Sequence, residues 1–209
     1  LASDFAVRPL PARGSGRTLR VKSGDDLQKA LDAAKDGDTI EVGEGTYGPI
    51  CSDNKFVEIV ATGACSNTVI DAGGKARCAT LTEKEFGDMV FQTNTLVRGF
   101  TLRGGVCAGE RIRPKEGGAA VGGTFVGCVF EKNAARYGGA VAQATLENCV
   151  LRQNTASANG GAAAYCRLRG CVLTGNTATF DGGAAEYCRA ENCTFESNGA
   201  KRDGGAAHM

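Results

Sequence analysis

AAVGGTFVGCVFEKNAARYGG (119–139), AVAQATLENCVLRQNTASANGG (140–161), AAAYCRLRGCVLTGNTATFDGG (162–183) and AAEYCRAENCTFESNGAKRDGG (184–205) are tandem copies of one unit of 21 or 22 residues. Each copy holds a Cys and an Asn at fixed positions and closes on Gly-Gly, and a fifth begins as AAHM. A period of this length suits either a leucine-rich repeat or one coil of a β-solenoid. The leucine-rich pattern is absent. Apolar positions within a unit are few: Leu146, Cys149 and Leu151 in one, Leu168, Cys171 and Leu173 in the next, then Ala190, Cys193 and Phe195. Each set fits strand, turn, strand. At roughly 3.3 Å of rise per residue, three strands of about four residues and their turns use up one unit, and coils stack about 4.8 Å apart. The period predicts a parallel β-helix.

Stacking turns the period into ladders. Cys128, Cys149, Cys171 and Cys193 form one, read as small apolar fillers facing the core at the position that Phe100 takes in an earlier coil. Asn133, Asn154, Asn176 and Asn198 form another. An inward Asn at a coil corner can exchange amide hydrogen bonds with its neighbours above and below while satisfying turn backbone groups. The paired glycines at 138/139, 160/161, 182/183 and 204/205 mark a turn that needs positive φ or close packing.

Upstream the pattern is less regular. Residues 1–17 carry two of the four prolines and no sustained period, which predicts an extended arm with Phe5, Val7 and Leu10 available to lie on a neighbouring surface. Thr18 to Val21 alternates like a strand. Ser23-Gly-Asp-Asp26 resembles a capping box, and Leu27, Ala30, Leu31 and Ala34 fall on one helical face before Gly37. A helix of about three turns within 24–36 is expected there, closing one end of the core. Short strands follow at 38–42, 57–60, 68–70 and 95–102, and GGVCAGERIRPKE (104–116) is the largest interruption. The expected architecture is all-β: one right-handed, single-stranded parallel β-helix of about seven or eight coils over 18–209, irregular at 18–118 and regular at 119–209.

The combination GGAV at 138 and GGAA at 160, 182 and 204, with FEKN, LRQN, LTGN and FESN, resembles the repeats of chlamydial polymorphic outer membrane proteins. These are right-handed parallel β-helices of the wider pectin-lyase-like superfamily. DDLQKALDAAKDGDTIEVGEGTY is similar to the opening segment of many pectin-lyase-like chains, where a short amphipathic helix covers the N-terminal end of the core. The two matches cover about 119–209 and 18–72. The resemblance implies the fold and leaves the activity open, because the superfamily holds lyases, hydrolases, esterases, adhesins and inert stalks.

Composition narrows the functional classes. Lys plus Arg (24) nearly balances Asp plus Glu (23), a net charge of +1, so no global field favours nucleic acid or an anionic membrane. No apolar run approaches the roughly 20 residues of a bilayer-spanning helix. Beginning at Leu1 without an initiator Met, the chain reads as processed or excised, and a removed signal or transit segment is one expectation. Ten cysteines permit an oxidising compartment, and Cys51 with Cys65, Cys78 with Cys107, and Cys166 with Cys188 are the candidate disulfides. A metal or cofactor site is not expected, for want of C-x-x-C spacing and of His beyond His208.

Enzymes of the resembled superfamily that cleave by β-elimination use an Arg or Lys beside Ca²⁺-binding acids, and those that hydrolyse use clustered Asp. The nearest groupings are Arg167, Arg169 and Arg189 with Glu191, and Asp181 with Asp203 before Gly-Gly. A charged ladder on a β-helix is more often a solvated face, and acids before a glycine turn more often cap the turn. Trp, the usual sugar-stacking platform, is absent. The reading is therefore a non-catalytic structural or protein-interaction module, extracellular or cell-surface, or alternatively an extrinsic subunit of a complex in an organelle lumen. Its contact surfaces would be Tyr165 and Tyr187, the basic Arg111, Arg113 and Lys115, and the last coil at Ala206 to Met209, met by further chain, a second copy or another subunit. A lyase or hydrolase of acidic polysaccharide and a carbohydrate-binding module are the alternatives.

Overall fold

Single residues in the left-handed region bend the chain at every corner of the regular coils from Gly122 onward, and between the bends the strands are only two to four residues long. The structure is a computed structural model that describes residues 12, 14–82, 94–107 and 116–208. The apolar arm residues Phe5, Val7 and Leu10, the basic residues Arg111, Arg113 and Lys115, and Met209 lie outside the described residues. About seven turns stack as an all-β parallel β-solenoid with one short α-helix.

Four sheets run along the stack. Sheet I has eight strands, from Thr18–Val21 through Thr39–Val42, Glu58–Ala61, Leu96–Arg98, Thr124–Val126, Thr145–Glu147 and Arg167–Arg169 to Arg189–Glu191. Sheet II has seven, from Gly45–Tyr47 to Thr194–Glu196, and sheet III has four, from Ala134–Ala135 to Gly199–Ala200. Sheet IV has seven, from Ile50–Cys51 to Ala207–His208. The sequence period is the pairing register. Leu146 pairs in parallel with Phe125 and Leu168, Leu151 with Phe130 and Leu173, and Ala156 with Ala135 and Ala178. A slip of one residue would turn each of these side chains outward, so burial of one face holds the register.

The corners explain residues that the period alone treats as filler. Between sheets I and II the bend is Gly99, Gly127, Asn148, Gly170 or Asn192; between II and III it is Gly104, Lys132, Gln153, Gly175 or Ser197, all at positive φ. Between sheets IV and I it is Gly122, Gln143, Tyr165 or Tyr187. A non-glycine residue there carries roughly 1–2 kcal/mol of strain, which the pairing of the flanking strands must offset. The two glycines of each Gly-Gly do different things. Gly160 has φ +66°, whereas Gly161 has an ordinary φ but no room, since a Cβ there would overlap the carbonyl oxygen of Gly183.

Inward side chains make one continuous core. Phe100, Phe125, Phe130, Leu146, Leu151 and Leu173 are fully buried, and Phe125 meets Phe130 edge to face at 5.1 Å between centroids. At the N-terminal end α1 (Leu27–Ala33) buries Leu27 and Leu31 over the first coil. The helix is two turns, shorter than the sequence suggests, and its cap is Asp26 rather than Ser23. The reason is local. Gly24 at φ +88° and an Asp25 carboxylate accepting from the Lys22 N–H hold residues 22–25 in a turn, so the first free helical N–H groups, of Gln28 and Lys29, reach Asp26. At the other end the Lys55 ammonium donates to the carbonyls of Leu31, Asp32 and Ala34, at 2.7, 3.0 and 3.1 Å. A cation there complements both the orphan carbonyls and the helix dipole.

Asp38 closes the same end. Its carboxylate accepts from the Arg17 guanidinium at 2.7 Å, the Arg17 N–H at 2.7 Å and the Lys35 N–H at 2.9 Å. The Arg17 side chain first, then the Lys35 N–H, hold its acidity at about 2, below the usual aspartate value of 3.8. A carboxylate depressed in the folded state adds stability that is whole above the unfolded value and is lost as pH falls through the folded one. Stability should therefore decline between about pH 4 and pH 2 through Asp38, and Asp38→Asn should flatten that limb in urea titrations at stepped pH. An unchanged acid limb in the variant would refute the assignment.

Candidate functional site

The two inward ladders take up most of the polar and sulfur chemistry of the repeat. Asn133 donates both its backbone N–H (3.1 Å) and its Nδ2 (3.0 Å) to Oδ1 of Asn154. Asn154 does the same to Asn176, and Asn176 to Asn198. Each Nδ2 also donates to a carbonyl of the preceding turn: Leu102, Phe130, Leu151 and Leu173 in order. Asn satisfies this corner because it supplies one acceptor for two donors above and two donors of its own.

The cysteine ladder Cys128, Cys149 and Cys171 is buried and Cys193 half-buried. All ten cysteines are free thiols, which corrects the disulfide expectation for Cys51–Cys65, Cys78–Cys107 and Cys166–Cys188. Positions stacked in register in successive coils, such as Cys166 and Cys188 at the corners before two paired strands, point their Cβ atoms the same way, and a disulfide needs them turned toward each other. Instead the Cys166 N–H donates to the sulfur of Cys188 at 3.3 Å. Cys65 contacts the Thr101 hydroxyl, the Cys78 thiol donates to the Arg103 carbonyl, and Cys107 accepts from Arg77. Burial pushes Cys78 up to about 12, so it is no nucleophile at neutral pH.

On the outer face of sheet I, Arg167 stacks in register on Arg189, and Arg169 on Glu191. With Thr145, Glu147, Leu146 and Leu168 they line a shallow depression of about 340 Å³. Arg189 is tied to Glu191 in its own strand at 2.8 Å. The same pairing of opposite charges recurs along the stack: Arg20–Glu41 at 3.0 Å, Arg98–Glu58 at 2.7 Å, Arg103–Asp71 at 2.8 Å and Arg152–Glu131 at 2.6 Å. These exposed pairs each contribute about 0–1 kcal/mol and mainly neutralise the faces.

Asp181, read from sequence beside Asp203 as a remote hydrolytic pair, is buried and structural. It accepts from the Arg202 Nε at 2.9 Å and from the Asp203 N–H at 3.2 Å. The same device recurs one and three coils earlier, where the Asp181 N–H donates to Asn159 and the Tyr137 N–H to Glu116. This third polar ladder, Glu116, Asn159 and Asp181, was signalled by the residue before each Gly-Gly, but its side chains differ too much to read as a repeat. Glu186 and Gln143 were missed altogether. Both are buried, with Glu186 accepting from Asn159 Nδ2 at 2.6 Å.

Tyr165 and Tyr187, both at positive φ, stack at 5.4 Å between centroids with 22° between planes, and Tyr187 is exposed. Ala206 is exposed as well, its carbonyl accepting from the N–H groups of Ala184 and Ala185. Among the described residues no group of three or more His, Cys, Asp or Glu side chains is placed to chelate a metal ion, and no helix is long and apolar enough to cross a membrane. No protein-family model matches the chain, and no curated protein matches it. The class that the fold defines is a parallel β-solenoid protein.

Proposed function

We propose that this chain is a non-catalytic structural or protein-interaction module, a pectin-lyase-like β-helix with repeats of the polymorphic outer membrane protein kind. The observation that carries the reading is the fate of the candidate chemistry. Arg189 is paired with Glu191 on an exposed face, and Asp181 is consumed by Arg202 and a turn N–H. A hydrolase needs two carboxylates facing one substrate bond, and a β-eliminating lyase needs a basic group free to take a proton.

The contact surfaces are the stacked Tyr165 and Tyr187 and the coil 184–205. In that coil Cys193 and Phe195 are half-buried where their counterparts Cys171 and Leu173 are buried. Further chain of the same protein, a second copy or another subunit stacked there would cover both the strand edges and these side chains. An extracellular, cell-surface or organelle-lumen assembly provides such a partner. Native mass measurement on material from the source is the test: a stable complex or oligomer is expected, and a lone monomer would overturn the proposal.

The depression around Arg167 and Arg169 favours one second reading, an acidic polysaccharide as ligand or substrate. Under the interaction reading a panel of polyuronates shows no turnover. Turnover abolished by substituting Arg167 and Arg189 would reverse the order of the two.

A further inference from the structure

The thiols of both cysteine ladders share one rotamer, each close to the carbonyl oxygen two residues back, and two stacked pairs of them lie nearest the surface. Sγ of Cys166 lies 3.2 Å from the Ala164 carbonyl oxygen and Sγ of Cys188 lies 3.2 Å from that of Glu186. Sγ of Cys171 and of Cys193 each lie 3.4 Å from the carbonyl oxygen two residues back, of Arg169 and Glu191. Those carbonyl-bearing residues are themselves in register, Ala164 with Glu186 and Arg169 with Glu191. The same contact in successive coils means that the side chains are related by the coil translation, so paired sulfurs stand about 4.8 Å apart. That is more than twice a disulfide bond of about 2.0 Å. It is close to two metal–sulfur bonds of about 2.3 Å laid end to end.

These four cysteines sit at coil corners, directly after a positive-φ residue, and their inward side chains repeat in register across the stacking direction, so an ion between two such sulfurs would lie in line with both and be bound at nearly a right angle to each Cβ–Sγ bond. Linear two-sulfur coordination is the preference of soft monovalent d¹⁰ cations, and thiolates select such ions over harder ones. We propose that Cys166 with Cys188, and Cys171 with Cys193, each hold one soft monovalent cation of the Cu(I) class. The sequence criteria that spoke against metal, missing C-x-x-C spacing and His, describe four-coordinate sites. A linear site needs neither.

The step balances without a redox partner. The incoming ion displaces one thiol proton to solvent and is held between one thiolate and one neutral thiol, which leaves the site uncharged and avoids burying a net charge. Cys193 is half-buried and Cys188 is 8% exposed, so the ions have a short way in. Cys128 and Cys149 are each 1% exposed deeper in the stack, and the proposal does not extend to them.

The test titrates the reduced full chain anaerobically with Cu(I) supplied as its acetonitrile complex, then desalts it. Native mass spectra should retain two ions, the melting temperature should rise by roughly 5 °C, and X-ray absorption should report two sulfur neighbours per copper. Cys188→Ala and Cys193→Ala should each retain one ion and the double variant none. Alanine already stands at the Cys188 ladder position in an earlier coil, as Ala144, and Cys193 borders solvent, so both variants should fold. Copper uptake that tracks all ten thiols, is untouched by these variants and lowers the melting temperature would overturn the proposal. So would three-sulfur or nitrogen coordination in the unsubstituted chain, a reading independent of whether the variants fold.

Discussion

Asn154→Ala is expected to destabilise the fold by about 5 kcal/mol, against about 1–2 kcal/mol for Asn198→Ala. Asn154 has no exposed surface, and its side chain closes four hydrogen bonds: two accepted from Asn133 and one donated to each of Phe130 and Asn176. Truncation strands the Asn133 N–H and one Asn133 amide hydrogen where no water reaches, and takes one of its donors from the Phe130 carbonyl, which keeps its place in the parallel ladder with the next coil. Each such group costs about 1–3 kcal/mol. The Asn176 carbonyl oxygen keeps the Asn154 backbone N–H, so the loss is not the whole ladder. Asn198 has the same partners on its inner side but is only half-buried, and water can replace part of what is lost. Urea unfolding of the two variants against the parent measures both. Equal losses below about 1 kcal/mol would mean that the ladder is ornament to the backbone pairing.

Gly161→Ala is expected to cost more than about 3 kcal/mol, and Gly127→Ala only about 1 kcal/mol. At Gly127 the sole obstacle is φ +59°, because nothing lies within 4 Å of a new Cβ. At Gly161 the backbone angle is permissive, but the Cβ would overlap the Gly183 carbonyl oxygen and sit 2.7 Å from the Thr177 carbonyl carbon. Those atoms belong to the next coil and cannot yield without separating the coils. Strain in one residue and a wedge between two coils are different in kind. Circular dichroism melts distinguish them: Gly127→Ala should melt as one cooperative transition a few degrees lower, and Gly161→Ala should lose most folded protein. A Gly161→Ala protein of near-parent stability would show that the coils are less closely stacked than the hydrogen bond from the Gly161 N–H to Gly182, at 3.0 Å, implies.

Much of the architecture is written in residue types whose role is local. A parallel in-register stack places every unit in the same environment, so whatever satisfies one coil recurs, and Cys128, Asn133 and Gly139 reappear one period later. The helix was placed by its apolar spacing and lost a turn at its start because Gly24 and Asp25 prefer a bend, a preference weaker in sequence than a capping pattern. Buried Glu186 and Gln143 gave no signal, since a single polar residue in a strand looks outward-facing until its neighbours are known.

The candidate site divided along the same line. Sequence placed Arg167 over Arg189 and Tyr165 over Tyr187, because equal spacing in the chain becomes vertical contact in the stack. It could not tell that Glu191 binds Arg189 or that Arg202 binds Asp181, because those partners depend on which way long side chains lean. The disulfide expectation failed for a related reason: spacing sets how close two cysteines come, while the direction of their Cβ bonds decides whether they can join. By itself, then, the sequence determined the repeat, its register and the residues at each rung. The tertiary structure alone decided which rungs are dry, which charges are already paired and which sulfurs face the same way, because burial and orientation belong to neighbouring coils and not to any one of them.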